Sequence, residues 1–318
     1  MAGFRSTNVR GRLVQPAAER TSRLLLVDRS TADFTDFTHV IFHNGNEPAI
    51  AGDSLDLSAG KWLKHPSHMS RPISRPNGVK LLHDVINSWN GAFSYVAEAP
   101  DQGVVGLRAP QIGAIHAVHA HWSLSNDPAT IVMPTGTGKT ETMLSVLISA
   151  QCRRILVVVP TDALRTQLAG KFISLGFLRA PGCAVLSDTA QFPVVGILKS
   201  KPRTVEEVDA IFELCHVVVA TSHIAGQCED DIQARMAHNC SHLFIDEAHH
   251  AEAPTWRAFK HKFSERRVLQ FTATPFREDG KPLDGKIIYK YPLRKAQDEG
   301  YFKPISFRPI TEFNLARA

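Results

Sequence analysis

One stretch of this 318-residue chain carries the residue types that phosphate chemistry needs, in the order it needs them. Pro134-Thr135-Gly136-Thr137-Gly138-Lys139-Thr140 lies between an apolar strand, Ile131 to Met133, and a run with the recurrence of a buried helix (Met143, Leu144, Val146, Leu147, Ile148). Strand, glycine turn and helix start in that order aim free backbone N–H groups and the positive end of a helix dipole at one spot, where an anion is stable. Gly136 and Gly138 let the backbone approach a phosphate. Lys139 supplies a point charge for the β and γ phosphates, and the Thr140 hydroxyl can ligate magnesium. The strict pattern begins with Gly where this chain has Met133, so a plain glycine turn before an ordinary helix stays open at this point.

The elements that must position this loop follow from hydrophobic pattern. Arg154 to Val159 is an uninterrupted β-branched run typical of a buried parallel strand, and it ends in Pro160-Thr161-Asp162-Ala163-Leu164-Arg165-Thr166-Gln167, a strand end feeding a capped helix. His216 to Ala220 runs likewise into Thr221-Ser222-His223, Leu243 to Ile245 into Asp246-Glu247-Ala248-His249-His250, and Val268 to Phe271 into Thr272-Ala273-Thr274-Pro275. Four apolar strands each deliver small polar residues at their carboxyl ends, and in an open parallel sheet ligands lie outside those ends. The expected fold class is therefore α/β, a doubly wound parallel sheet. Upstream, Leu107 to Gln111 opens a helical stretch with Ile112, Ile115, Val118 and Trp122 at helical spacing. The amide of Gln111 can read the two-sided edge of adenine, and Arg108 can hold a phosphate or orient that amide.

Composition bounds the setting. A chain with 43% hydrophobic and 21% charged residues can bury a core, and a net charge of +5 is a mild basic excess that suits a polyanion without requiring one. The N-terminus has no apolar leader and the longest apolar runs are strand-length, which fits a cytoplasmic protein without membrane attachment. Five unevenly spaced cysteines with no C-x-x-C pair read as reduced thiols. His116, His119 and His121 read as helix-surface residues and not as a metal site. Residues 1–100 are rich in Arg, Ser, Pro and His. Short strands are expected at Leu24 to Val27 and Val40 to Phe42, a loop over Lys61 to Gly78, and a helix from Val79 to Trp89 between Asn77 and Gly91.

Six motifs in fixed order now carry a resemblance: Arg108-x-x-Gln111, PTGTGKT at 134–140, PTDALRTQ at 160–167, ATSH at 220–223, DEAHH at 246–250 and TATP at 272–275. The chain resembles the first RecA-like lobe of a superfamily-two helicase or translocase, in look nearest to the type III restriction subunits and related DNA translocases. The resemblance implies ATP and Mg2+ as ligands, with Pro134 to Thr140, Arg108 and Gln111 holding the nucleotide and Thr140 and Asp246 holding the metal. It implies Glu247 as the base or water-orienting group, Lys139 and Asp246 beside it, and His249 as the link from the γ phosphate to Thr272 and Thr274, which couple hydrolysis to nucleic-acid contacts. Pro160, Thr161, Arg165, Thr221 and Ser222 lie where the family grips one strand's backbone, DNA more than RNA. Such contacts carry no base code and make binding salt-sensitive.

The expected organisation is an accessory region over 1–100, the ATP-binding lobe over 101–300, and an exit segment over 301–318 with a short strand at Ile305 to Phe307. The motifs of a second RecA-like lobe are missing, which implies a piece of a longer enzyme that alone hydrolyses ATP slowly or not at all. If a second copy supplies an arginine, Arg266, Arg267 and Arg277 are its candidates. Two competing readings are a nucleotide-dependent nucleic-acid clamp without turnover and a metabolic P-loop ATPase; the order from DEAH to TAT speaks against the latter.

Overall fold

The structure, a computed structural model, describes the backbone of residues 4–9, 22–27, 39–43, 50–51, 54–55, 60–64, 75–248, 254–274 and 285–302, with side chains from Leu81 onward apart from 254–255. Its centre is a seven-stranded sheet made from β7 (Ala129–Val132), β8 (Ile155–Val159), β9 (Val195–Ile197), β10 (Val217–Thr221), β11 (His242–Ile245), β12 (Arg267–Thr272) and β13 (Lys286–Lys290). The spatial order is β13-β7-β12-β11-β8-β10-β9, and every pairing is parallel. The helices between them are α2 (Ala109–Leu124), α3 (Lys139–Ser149), α4 (Asp162–Ser174), α5 (Val205–Phe212), α6 (Ser222–Gly226), α7 (Asp230–Asn239), α8 (Pro254–His261) and α9 (Leu293–Asp298). This is a doubly wound parallel α/β sheet, as expected.

Alternation along each strand divides the core into two layers. Ile155, Val157 and Val159 of β8 join α2, α3 and α4 on one face, while Leu156 and Val158 join α5, α6, α7 and α8 on the other. All five residues of β8 and of β10 are buried, which is why both read as continuous apolar runs. Each fully buried valine or leucine contributes roughly 1.5–3 kcal/mol, so the sheet is a stiff base for the loops at its carboxyl edge. Of the two outer strands, β9 escapes the sequence reading because it has only three half-buried residues, and β13 is mostly exposed.

The first hundred residues hold a four-stranded sheet, β1 (Phe4–Val9), β2 (Ser22–Val27), β3 (His39–His43) and β6 (Gly60–Lys64) in that order, and a small hairpin of β4 (Ile50–Ala51) and β5 (Ser54–Leu55). The loop expected over 61–78 is overturned at both ends. β6 pairs antiparallel with β3, and α1 (Arg75–Ser88) begins four residues before Val79, with Pro76 in its first turn. A proline there loses no helical hydrogen bond and favours the helix, whereas the sequence reading places it inside the loop.

Trp89, just after α1, is 1% exposed in the same core layer as α2 and α3, and its indole Nε1 donates to the Gln191 carbonyl at 2.8 Å. His216 Nδ1 accepts from the Val194 amide at 3.0 Å and its Nε2 meets the Leu82 carbonyl at 3.0 Å. Burial lowers the His216 pKa to about 4, so a neutral imidazole ties α1 to the edge of the large sheet. The packing that supports the lobe therefore reaches back to α1.

Candidate phosphate-binding site

Gly136 and Gly138 adopt φ of 87° and 95°, a region that side chains strain to enter. Space demands glycine at 138 as well, since a Cβ there would lie 2.0 Å from Gln111 Nε2. Thr137 is fully buried and closes the turn: its hydroxyl donates to the Pro134 carbonyl at 2.6 Å, and its amide to the same oxygen at 3.3 Å. Met133 replaces the usual first glycine without penalty because its side chain points into the core at 0% exposure, in contact with the Thr142 hydroxyl. Its amide donates to the Thr272 carbonyl at 2.9 Å, a direct backbone link between the loop strand and the TAT segment. Lys139 and Thr140 open α3 and line the cleft.

Asp246 and Glu247 leave the end of β11, two strands from β7 with β12 between. Glu247 takes the left-handed conformation, φ 49°, which a non-glycine residue keeps only where its surroundings enforce it. Its amide donates to Asp246 Oδ1 at 3.1 Å and its carboxylate Oε1 accepts a hydrogen bond from the Lys139 ammonium. The phosphate loop, both carboxylates, the 98–106 segment and one face of α4 enclose a cleft of about 840 Å³. That is the size of an ordinary small-ligand site.

Burial pushes the Asp246 carboxyl from 3.8 up to about 6, with Lys139 pulling it down and Glu247 pushing it up. A half-buried carboxylate and a threonine hydroxyl lining one cleft offer hard oxygen donors of the kind magnesium prefers, an ion that takes one or two carboxylates and completes its shell with phosphate and water. The residues present therefore fit Mg2+. Because the folded-state pKa is raised, the folded protein holds the proton more tightly, and stability from this group falls as pH rises from about 4 to about 6. Asp246→Asn should accordingly stabilise the nucleotide-free protein at pH 7 by about 1–3 kcal/mol and make no difference below pH 4. Denaturant unfolding of both proteins at the two pH values measures this, and equal stability at pH 7 contradicts it.

Arg108 and Gln111 meet the loop. Gln111 Oε1 accepts from the Arg108 amide at 2.8 Å, so the amide oxygen serves as a helix cap and its Nε2 faces Gly138. One of the two lone pairs of the amide oxygen is thus spent on the cap, and Gln111, 3% exposed, lies at the wall of the cleft. Arg108 Nη1 donates to the Gly136 carbonyl at 2.6 Å, and its Nε lies 3.7 Å from Glu98.

Thr161 and Thr221 each cap a helix, accepting from the Leu164 and Ile224 amides at 3.3 Å. Thr161 is exposed, Pro160 and Ser222 are half-buried, and Thr221 is buried. Arg165 departs from its expected role: it is 8% exposed, donates from Nη1 to the Leu198 carbonyl at 3.2 Å and pairs with Asp162 at 2.9 Å. Its position on the inner face of α4, three residues after Asp162, directs it back into the fold. Thr272 is fully buried, and its hydroxyl donates to the Thr274 carbonyl at 2.9 Å. His249, Arg277 and the strand expected at Ile305 to Phe307 lie outside the described residues.

Two other expectations change. His121 is 8% exposed and its Nε2 meets the Asp127 carbonyl at 2.8 Å, so it closes the end of α2 and is not a surface residue. Arg266 and Arg267 lie at the amino-terminal end of β12, opposite the cleft, where Arg267 stacks 5.3 Å from the Trp122 ring and donates to Asn126. The sequence reading passes over Lys199, Lys201 and Arg203, all exposed beyond the carboxyl end of β9. Three cations within five residues were the available signal.

Residues 105–277, more than half of the chain, match the family described as type III restriction enzyme, res subunit. The chain belongs to that family. All six motifs of this res-subunit lobe fall within the matched residues. No curated protein sequence matches the chain. Among solved structures, the UvsW helicase from bacteriophage T4 aligns with a TM-score of 0.39 and 16% identity over 66% of this chain and 63% of its own. The ATP-dependent type ISP restriction-modification enzyme LlaBIII, bound to DNA, gives 0.42 and 18% over 62% and 16%. The DUF1998 helicase MrfA, bound to DNA and AMPPNP, gives 0.40 and 14% over 71% and 30%. The chain thus spans less than two thirds of each of these proteins.

Proposed function

We propose that this lobe binds Mg–ATP in the cleft and is the ATP-hydrolysing part of a helicase or translocase acting on nucleic acid, DNA more than RNA. The observation that carries the reading is the meeting of Lys139, Thr140, Asp246 and Glu247 in one cleft at the carboxyl edge of the sheet. Loop amides and Lys139 hold the β and γ phosphates; Thr140 and Asp246 hold magnesium, which when bound neutralises charge on the phosphates. Glu247 orients or deprotonates the attacking water. No helix among the described residues is long and apolar enough to cross a membrane.

The nucleic-acid edge lies farther along the same sheet. β9 is five strands from β7, roughly 24 Å at the usual strand spacing, so ATP and a nucleic-acid strand fit side by side. Pro160, Thr161, Thr221 and Ser222 offer hydroxyls and helix-start amides, and with Arg165 turned inward the salt dependence comes from Lys199, Lys201 and Arg203. Binding of unrelated single-stranded oligonucleotides should be weak, indifferent to sequence and abolished by salt. Replacing those three cations by alanine should flatten the slope of log affinity against log salt by about 0.7 for each phosphate that is no longer neutralised. A strong base preference, or an unchanged slope in the triple variant, counts against this surface.

A further inference from the structure

Three ion pairs ring the cleft: Lys139 with Glu247, Arg108 with Glu98, and Lys171 with Glu141. The first two cations belong to the motifs; Lys171 does not. It sits on α4, whose Leu164, Gln167, Leu168 and Lys171 share one helical face and line the cleft. Its Nζ is 3.5 Å from Glu141 Oε1, and Glu141 follows Thr140 directly in the first turn of α3. A carboxylate at a helix start favours the dipole but repels a phosphate bound one residue away. The side chain of Lys171 is 42% exposed, so the ammonium is free to change partner.

Resting on the nucleotide reading above, we propose that Lys171 is a third polyphosphate-binding cation, held by Glu141 until phosphate oxygens replace the carboxylate. The same helix is capped by Thr161, one of the proposed nucleic-acid contacts, so α4 runs from that contact to the cleft. The test is a titration of fluorescent ATP and AMP analogues, with magnesium, into the parent chain and into Lys171→Met, Lys171→Arg, Glu141→Gln and the Lys171→Met/Glu141→Gln pair. Lys171→Met should weaken the ATP analogue about threefold to tenfold and the AMP analogue less, as expected for a partly exposed charge. Lys171→Arg should recover most of the loss, and the loss should persist beside Glu141→Gln. Parental affinity in Lys171→Met, an equal loss for both analogues, or full restoration in the double variant overturns the proposal; the last would mean that Lys171 only neutralises Glu141. Lys139→Ala in the same series separates the two claims: if it also binds at parental strength, the nucleotide reading itself fails.

Discussion

Glu247→Gln should bind ATP at least as tightly as the parent and turn it over at least about 100-fold more slowly, the lower range for losing a positioned base. Both halves come from one contact. Glu247 accepts from the Lys139 ammonium, so a triphosphate must take the lysine away from a carboxylate before it gains the charge. An amide keeps the shape but holds Lys139 less firmly, and it removes a negative group facing the γ phosphate. Turnover falls because an amide cannot take a proton from water. Nucleotide affinity by fluorescence and turnover by phosphate release, in whichever form of the protein hydrolyses ATP measurably, check the two halves separately. Weaker binding with unchanged turnover would assign Glu247 to holding the nucleotide.

Lys139→Ala has the opposite signature. It should weaken ATP at least tenfold, about 1.4 kcal/mol, by leaving the phosphates to loop amides and magnesium. Glu247, deprived of its partner, then adds repulsion toward the triphosphate. Adding Glu247→Gln to Lys139→Ala should recover part of the loss, because the pair is coupled through contact. The rise in Tm on adding saturating Mg–ATP reads this directly, since a ligand stabilises only the state it binds. The parent should show the largest shift, Lys139→Ala the smallest, and the double variant a value between them. An equal shift in all three contradicts the exchange of partners.

The parts of this protein that were legible in the sequence are those where local chemistry and global packing agree. β8, β10 and β11 are buried on both faces and therefore uninterrupted in apolar residues, and Thr161 announces α4 because a threonine before a helical run has one dominant use. The phosphate loop is legible for the same reason: glycine is demanded by both φ and the nearness of Gln111. The features that escaped depend on pairings between distant segments. Nothing in PTDALRTQ says that Arg165 turns toward Leu198, and nothing near Lys171 says that Glu141 will be its partner. Gln111 reads as a base reader from its type alone, and the cap that its oxygen forms with the Arg108 amide becomes visible only in the structure. Pro76 misleads because a proline either breaks a helix or starts one, and only the three-dimensional neighbours decide.

The central claim is that the cleft formed by the phosphate loop and the Asp246-Glu247 turn is a magnesium–nucleoside triphosphate site. Calorimetric titration of the parent chain with a non-hydrolysable ATP analogue, once with magnesium and once with a chelator, tests it most directly. Saturable one-to-one binding is expected with magnesium. Binding at least tenfold weaker is expected without it, because Asp246 would then face phosphate as an unshielded carboxylate. Binding of equal strength in both titrations, or none in either, would contradict the account.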